Sequence, residues 1–164
     1  MTRWIKNGEL EAFRTPGGHF RVAQEDLRSF ASGQGIELEK LSSGKKILVV
    51  EDDPAVMKVI STALKKSFSR YSLILSSDGF DAGIKFSEQT PELIILDLML
   101  PGMDGFEICR NIRKKDSSVR ILAVSGYPTK ENIKKIREAG ADDFLSKPFV
   151  VKDFVRRVSA LLDR

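Results

Sequence analysis

A chain of 164 residues with 41% hydrophobic and 30% charged side chains has the composition of a globular protein with a proper core, which excludes wholesale disorder. Its longest apolar runs, 93–96 and 98–100, are split by Asp97 and bounded by Pro91 and Pro101, far short of a membrane span. The opening Met-Thr-Arg-Trp-Ile-Lys also lacks the features of a secretory signal, so a cytoplasmic location without membrane contact is expected. The net charge of +4 does not by itself point to nucleic acid: within residues 1–44, Arg3, Lys6, Arg14, Arg21, Arg28 and Lys40 are balanced by Glu9, Glu11, Glu25, Asp26, Glu37 and Glu39.

In chain order, the first segment reads as a short helix over 2–6, a turn at Asn7-Gly8, a hairpin around Pro16-Gly17-Gly18 and a helix over 25–31. The run SGQGIELEKLSSG over 32–44 sets small, flexible residues around Ile36, Leu38 and Leu41, and we place a linker at 33–44. From Lys45 onward, short apolar runs alternate with helix-period segments, the pattern of strand-helix units around a parallel sheet. Strands are predicted at 46–50, 71–76, 93–98, 120–125 and 143–145, and helices at 55–68, 80–89, 106–114, 131–139 and 151–161. Unbroken apolar runs at 47–50, 93–96 and 121–124 suit central strands covered on both faces. Pro54 fits the first turn of its helix, Asp78 an N-cap, Asp53 a helix start, and Gly140 the position after a helix end. The single cysteine, Cys109, falls in a predicted helix, has no neighbouring ligand, and reads as a small apolar side chain.

In a doubly wound sheet, functional groups collect at the carboxyl ends of the strands. The first predicted strand ends in VVEDDP, bringing Glu51 and Asp52 to that rim; the third ends in IILDLMLPGMDG, bringing Asp97. The fourth and fifth end in AVSGY and FLSKPF, adding Ser125 and Lys147. Clustered carboxylates repel unless a hard cation lies among them, and Mg²⁺, which takes oxygen ligands and keeps several waters, suits the set. A carboxylate such as Asp97 can act as nucleophile on a phosphoryl group, with Lys147 and Ser125 as donors to its oxygens. Each residue has a plainer reading: the acidic pair as a helix start, Lys147 as a loop lysine, Ser125 as an ordinary serine. An aspartate inside an apolar strand is costly to bury, however, and the joint placement of all five favours a site.

These residues resemble those of bacterial response-regulator receivers over the whole of 45–164. The resemblance implies a five-stranded parallel, doubly wound, flavodoxin-like α/β fold. It implies Asp97 as phosphoacceptor, and Mg²⁺ held by Asp52, Asp97 and the backbone carbonyl of Met99, with Glu51 acting through water. Lys147 would contact the phosphoryl group, Ser125 and Phe144 would be the switch pair, and the Lys147–Pro148 bond would be cis. The protein would be a phosphoacceptor rather than an enzyme, labelling itself from small donors and dephosphorylating itself. The implied partners are a sensor histidine kinase or phosphotransfer protein, and a second copy through the fourth helix, fifth strand and fifth helix of the domain.

Residues 1–32, with their RTPGGH stretch, are similar to an excisionase-type or mercury-regulator-type winged helix-turn-helix, a small α+β fragment. The resemblance implies Arg3 and Lys6 on a DNA-recognition helix, Arg14, His19 and Arg21 on the wing, and Trp4, Ile5, Leu10, Phe13, Val22, Leu27 and Phe30 as the small core. A complete module of this kind has a further helix before the turn. Two readings therefore stay open: a response regulator controlling a DNA-binding module completed upstream, or a phosphorylation-dependent signalling adaptor with a vestigial N-terminal fragment and protein-protein output. A metal-dependent phosphohydrolase fits least, since no sizeable cap region exists for substrate selection.

Overall fold

Short paired segments with glycine between them favour a hairpin, and residues 1–43 contain one: β1 (Phe13–Arg14) pairs antiparallel with β2 (Phe20–Arg21), Phe13 opposite Arg21 and Arg14 opposite Phe20. Gly18, in the connection, takes φ +81°, a conformation that costs other residues a clash at Cβ. The computed structural model describes residues 4–5, 7–14, 17–18, 20–23, 26, 29–30, 33, 44–126 and 128–163. Arg3, Lys6, His19, Leu27 and the linker core 34–43 lie outside the described residues. The chain divides into two compact units, 1–43 and 44–164.

The expected small core is only partly realised. Leu10 is buried and Ile5, Val22 and Phe30 are half-buried, but Trp4 and Phe13 are exposed. Two-residue strands form a narrow ribbon that by itself buries little apolar surface. The Trp4 and Phe30 rings lie 5.4 Å apart, while the Arg14 guanidinium sits 5.6 Å from the Phe20 ring centre and donates from Nε to the Gly18 carbonyl at 3.2 Å.

In residues 44–164 the strand-helix alternation runs β3 (Lys46–Val50), α1 (Pro54–Ser67), β4 (Ser72–Ser76), α2 (Gly79–Gln89), β5 (Leu93–Asp97), α3 (Gly105–Lys115), β6 (Arg120–Ser125), α4 (Lys130–Glu138), β7 (Asp143–Ser146) and α5 (Val151–Leu162). All five strands are parallel, in the order β4-β3-β5-β6-β7. This is the flavodoxin-like doubly wound order, which places a crevice where the strand sequence reverses, between β3 and β5. Four of the five helices of this unit start where short polar side chains cap them, and α5 starts after Val150 without one. Asp53 accepts from Ala55 and Val56 N–H, Asp78 from Asp81, Asp104 from Phe106 and Thr129 from Asn132. These caps move most helix starts one residue ahead of the predicted bounds. Gly140 follows α4 with φ +98°.

Alternation along each strand sends successive side chains to opposite faces. Leu48, Val50, Ile94, Leu96, Ile121 and Ala123 pack with Ala82, Phe86, Ile108, Cys109 and Ile136 of α2, α3 and α4. Ile47, Val49, Leu93, Ile95, Leu122 and Val124 pack with Ile60, Leu64, Phe154 and Val158 of α1 and α5. Every residue of β5 is buried, Asp97 included. The two layers of helices hold the rim bearing the acidic residues rigidly at one edge of the sheet. Among the described residues, no helix is long and apolar enough to cross a membrane.

Candidate functional site

The parallel register determines which side chains meet. Val50 lies opposite Leu96, Asp97 opposite Val124 and Ser125 opposite Ser146. The residues at or just past these positions, Glu51, Asp97, Ser125 and Lys147, therefore belong to one rim. Glu51 and Asp97 are 2% and 4% exposed, whereas Asp52 is exposed beside them. One carboxylate oxygen from each of the three lies within 4.8 Å of the others. Lys147 is the cation that meets this charge: its Nζ donates to Asp97 Oδ2 at 2.7 Å and to Glu51 Oε1 at 2.8 Å. The same Nζ is 2.7 Å from Glu51 Oε2, but too oblique to donate, so that buried oxygen has an ionic contact and no donor in line. Asp97 Oδ1 accepts the Met99 N–H at 2.9 Å, which turns the chain out of β5, and Glu51 Oε1 also accepts the Asp53 N–H at 3.3 Å.

Burial pushes the Glu51 carboxyl above the ordinary range; its bond to Lys147 opposes the rise and the charge of Asp97 adds to it. Burial alone would lower Lys147, but its bonds to Asp97 and Glu51 together outweigh that and hold the ammonium above its ordinary value. One lysine is thus shared by two buried carboxylates, with a third acid alongside. Three hard oxygen donors so close together, one with an oxygen that no donor faces, fit a small divalent cation such as Mg²⁺.

The other expected residues are also placed. Ser125 is buried at the end of β6, and its carbonyl accepts the Lys147 N–H at 2.8 Å, tying two strand ends together. Phe144, in β7, is half-buried against the core beneath α4. The Lys147–Pro148 peptide is cis. Asp53 is engaged as the N-cap of α1. Gly105 was not singled out in the sequence, although it shapes the site. A Cβ there would lie 2.4 Å from Leu98 Cα and 2.7 Å from its carbonyl oxygen, so only glycine lets α3 start against the chain leaving Asp97. A glycine directly after a capping aspartate, where a helix former is the ordinary choice, was the available signal.

A model of the response regulator receiver domain family matches residues 47–159. The chain belongs to this family. Similar curated proteins include response regulators MprA of Mycobacterium sp. (strain KMS) and Mycobacterium leprae (strain TN), 37% and 36% identical over 119 residues, 73% of this chain and 51% of theirs. The chain spans about half the length of these relatives. Among solved structures, the receiver superposes on the BeF3-activated DrrB receiver domain with a TM-score of 0.67 at 32% identity, covering 73% of this chain and 98% of that one; DrrB is a Thermotoga maritima OmpR/PhoB homolog. It also superposes on the signal receiver domain of the DNA binding response regulator protein (merR) from Colwellia psychrerythraea 34H, with a TM-score of 0.69 at 28% identity, covering 73% and 99%. Receivers serve phosphorylation-based two-component signalling, interact with histidine kinases or phosphotransfer proteins, and bind Mg²⁺ at an acidic pocket; Glu51, Asp52 and Asp97 form such a cluster here.

Proposed function

We propose that this receiver takes a phosphoryl group onto Asp97 from a phosphohistidine of a sensor kinase or phosphotransfer protein, and that it is a phosphoacceptor rather than an enzyme turning over an external substrate. The observation that carries the reading is Lys147 Nζ held 2.7 Å from Asp97 within a cluster of three carboxylates. An Asp97 oxygen attacks phosphorus, the bond from phosphorus to the donor imidazole breaks, and the imidazole nitrogen keeps the electron pair. The charge of Lys147 meets the phosphoryl oxygens; its existing bonds hold the ammonium in place before the donor arrives. Asp52, Asp97 and the Met99 carbonyl would hold Mg²⁺, with Glu51 acting through water. When bound, the ion neutralises charge on the acids and the transferred group. The Ser125 hydroxyl then moves to the phosphoryl group, Phe144 turns into the space released, and hydrolysis of the acyl phosphate restores the resting population.

For the output we assign residues 1–32 to a partial winged helix-turn-helix, 33–44 to a linker and 45–164 to the receiver. Arg14 and Arg21 on the exposed β1–β2 hairpin, together with Arg3, Lys6 and His19, would contact DNA, and a second copy would join through α4, β7 and α5. Support comes from the hairpin itself and from the DNA-binding response regulator among the receiver's structural neighbours. The exposure of Trp4 and Phe13 favours the second reading, an adaptor that engages proteins.

Incubation with Mg²⁺ and acetyl phosphate should add one phosphoryl group by mass spectrometry, and Asp97→Asn should add none; labelling retained in that variant would reject the acceptor assignment. DNA affinity that is sequence-selective, falls with salt and rises on phosphorylation supports the DNA output, and its absence favours the adaptor.

A further inference from the structure

Beside the rim that carries Asp97, the face formed by α2 and α3 leaves apolar side chains uncovered. On α2, Phe80, Gly83, Ile84 and Ser87 recur at i, i+3, i+4 and i+7 and line a groove of about 790 Å³. Ile108, Asn111, Ile112 and Lys115 of α3 repeat the same spacing along its other side. Phe80 is 73% exposed, and Ile84 and Met103 at the groove are exposed as well. A solvent-facing stripe with these anchors is a recognised mark of an interaction surface.

We infer that this face is a self-association surface, on which two copies of the chain pack with their α2 helices antiparallel across Gly83. Three observations select a second copy as the occupant. First, the face holds both a knob and a hole: Phe80 projects near the start of α2, and the groove continues between Ser87 and Ile112 toward its end. Second, Gly83 is exposed in mid-helix and a Cβ there would meet nothing within 4 Å, so its glycine is not required by the monomer but allows a second helix to approach closely. Third, the face is bipolar. The exposed cap Asp78 stands at the N-terminal end of α2, while Lys114 and Lys115 line the C-terminal end of the groove beside Glu88. A two-fold axis through Gly83 seats each Phe80 in the other copy's groove and sets each lysine pair against the other copy's Asp78, satisfying shape and charge in one operation. A foreign helix would have to reproduce both. The surface is distinct from the α4, β7 and α5 face, and the contact needs no phosphoryl group. Two eleven-residue helices offer a modest area, suited to a dissociable dimer.

Sedimentation of the full chain over rising concentration tests the inference. The wild type should form dimers whose dissociation constant rises at least tenfold in Gly83→Gln and in Phe80→Glu, and by less in Lys114→Glu/Lys115→Glu, whose effect fades in high salt. Gly83→Gln replaces a mid-helix glycine at an open position, so its melting temperature should equal or exceed that of the wild type while association weakens; this separates lost contact from lost fold. A wild type that stays monomeric to its solubility limit overturns the inference. So does a dimer untouched by Gly83→Gln and abolished by Arg157→Ala, which would place association on α4, β7 and α5.

Discussion

Phe154 of α5 is 0% exposed against the sheet, whereas Phe13 of β1 is 62% exposed on a ribbon of two-residue strands. The same side chain serves opposite ends because the surrounding layers differ. In residues 44–164, five parallel strands carry helices on both faces, and every apolar position along β5 has a neighbour above or below. In residues 1–43, Leu10 is the buried apolar side chain among the described residues. The contrast shows where a charged site can be held. Two carboxylates and a lysine stay together at the sheet rim because the strands beneath them cannot shift, and the hairpin arginines have no such frame.

The largest expected effect tests this difference directly. Phe154→Ala should cost about 3–5 kcal/mol of unfolding free energy in urea, through lost burial and the cavity left behind. Phe13→Ala should stay within about 0.5 kcal/mol, as exposed substitutions do. Comparable losses in the two variants would show that Phe13 is packed as deeply as Phe154.

Lys147→Met comes next, because it leaves Asp97 and Glu51 facing each other in a buried setting without their cation. Breaking such an arrangement costs about 3 kcal/mol. In calorimetry, added Mg²⁺ should recover part of the lost stability in the variant and add less to Asp97→Asn, whose cluster has one carboxylate fewer. No response to Mg²⁺ in wild type or variant would refute the cation assignment.

Cys109 supplies a smaller, pH-dependent effect inside the same core. Burial raises its thiol from 9.0 to about 11. The fold therefore favours the neutral thiol, so its contribution is intact below pH 9 and is lost as pH climbs through about 11, the unfolded chain having released its proton first. That rise corresponds to about 2–3 kcal/mol at most. Cys109→Ala should flatten the alkaline decline by that amount relative to wild type in urea titrations at pH 8, 9, 10 and 11. Parallel declines in the two proteins would show that the ionised thiol is tolerated in the core.

The receiver was legible because its local signals agree with one another. Unbroken runs such as 93–96 mark covered strands, Asp53 and Asp78 announce helix starts, and an aspartate closing an apolar strand marks the site. Arg113 gave no such sign. It donates to the carbonyls of Ser117, Val119 and Gly140 and to the Asp142 carboxylate, joining the end of α3 to the chain before β7, and backbone acceptors leave no trace in a residue pattern. The pair of hydrogen bonds that Lys147 donates was half legible. Its position at the rim follows from the strand pattern, but its attachment to Glu51 depends on how two loops from different strand ends converge. In residues 1–43, polarity misled: Trp4 and Phe13 read as core by type, and nothing local in the sequence reports that they stay exposed.

Arg14 should give the smallest change in stability and thereby the cleanest functional reading. Its Nε bond to the Gly18 carbonyl and its place over the Phe20 ring are exposed, and contacts of that kind contribute little to folding. Arg14→Ala combined with Arg21→Ala should therefore leave the unfolding midpoint within about 0.5 kcal/mol of wild type. If the hairpin is a DNA wing, the same variant should weaken binding uniformly across sequences and reduce the salt dependence by about two phosphate contacts, since such arginines meet the backbone rather than base edges. An unchanged salt slope in a protein that binds DNA would remove the hairpin from the interface, and loss of a protein partner without any effect on DNA would mark it as an adaptor surface.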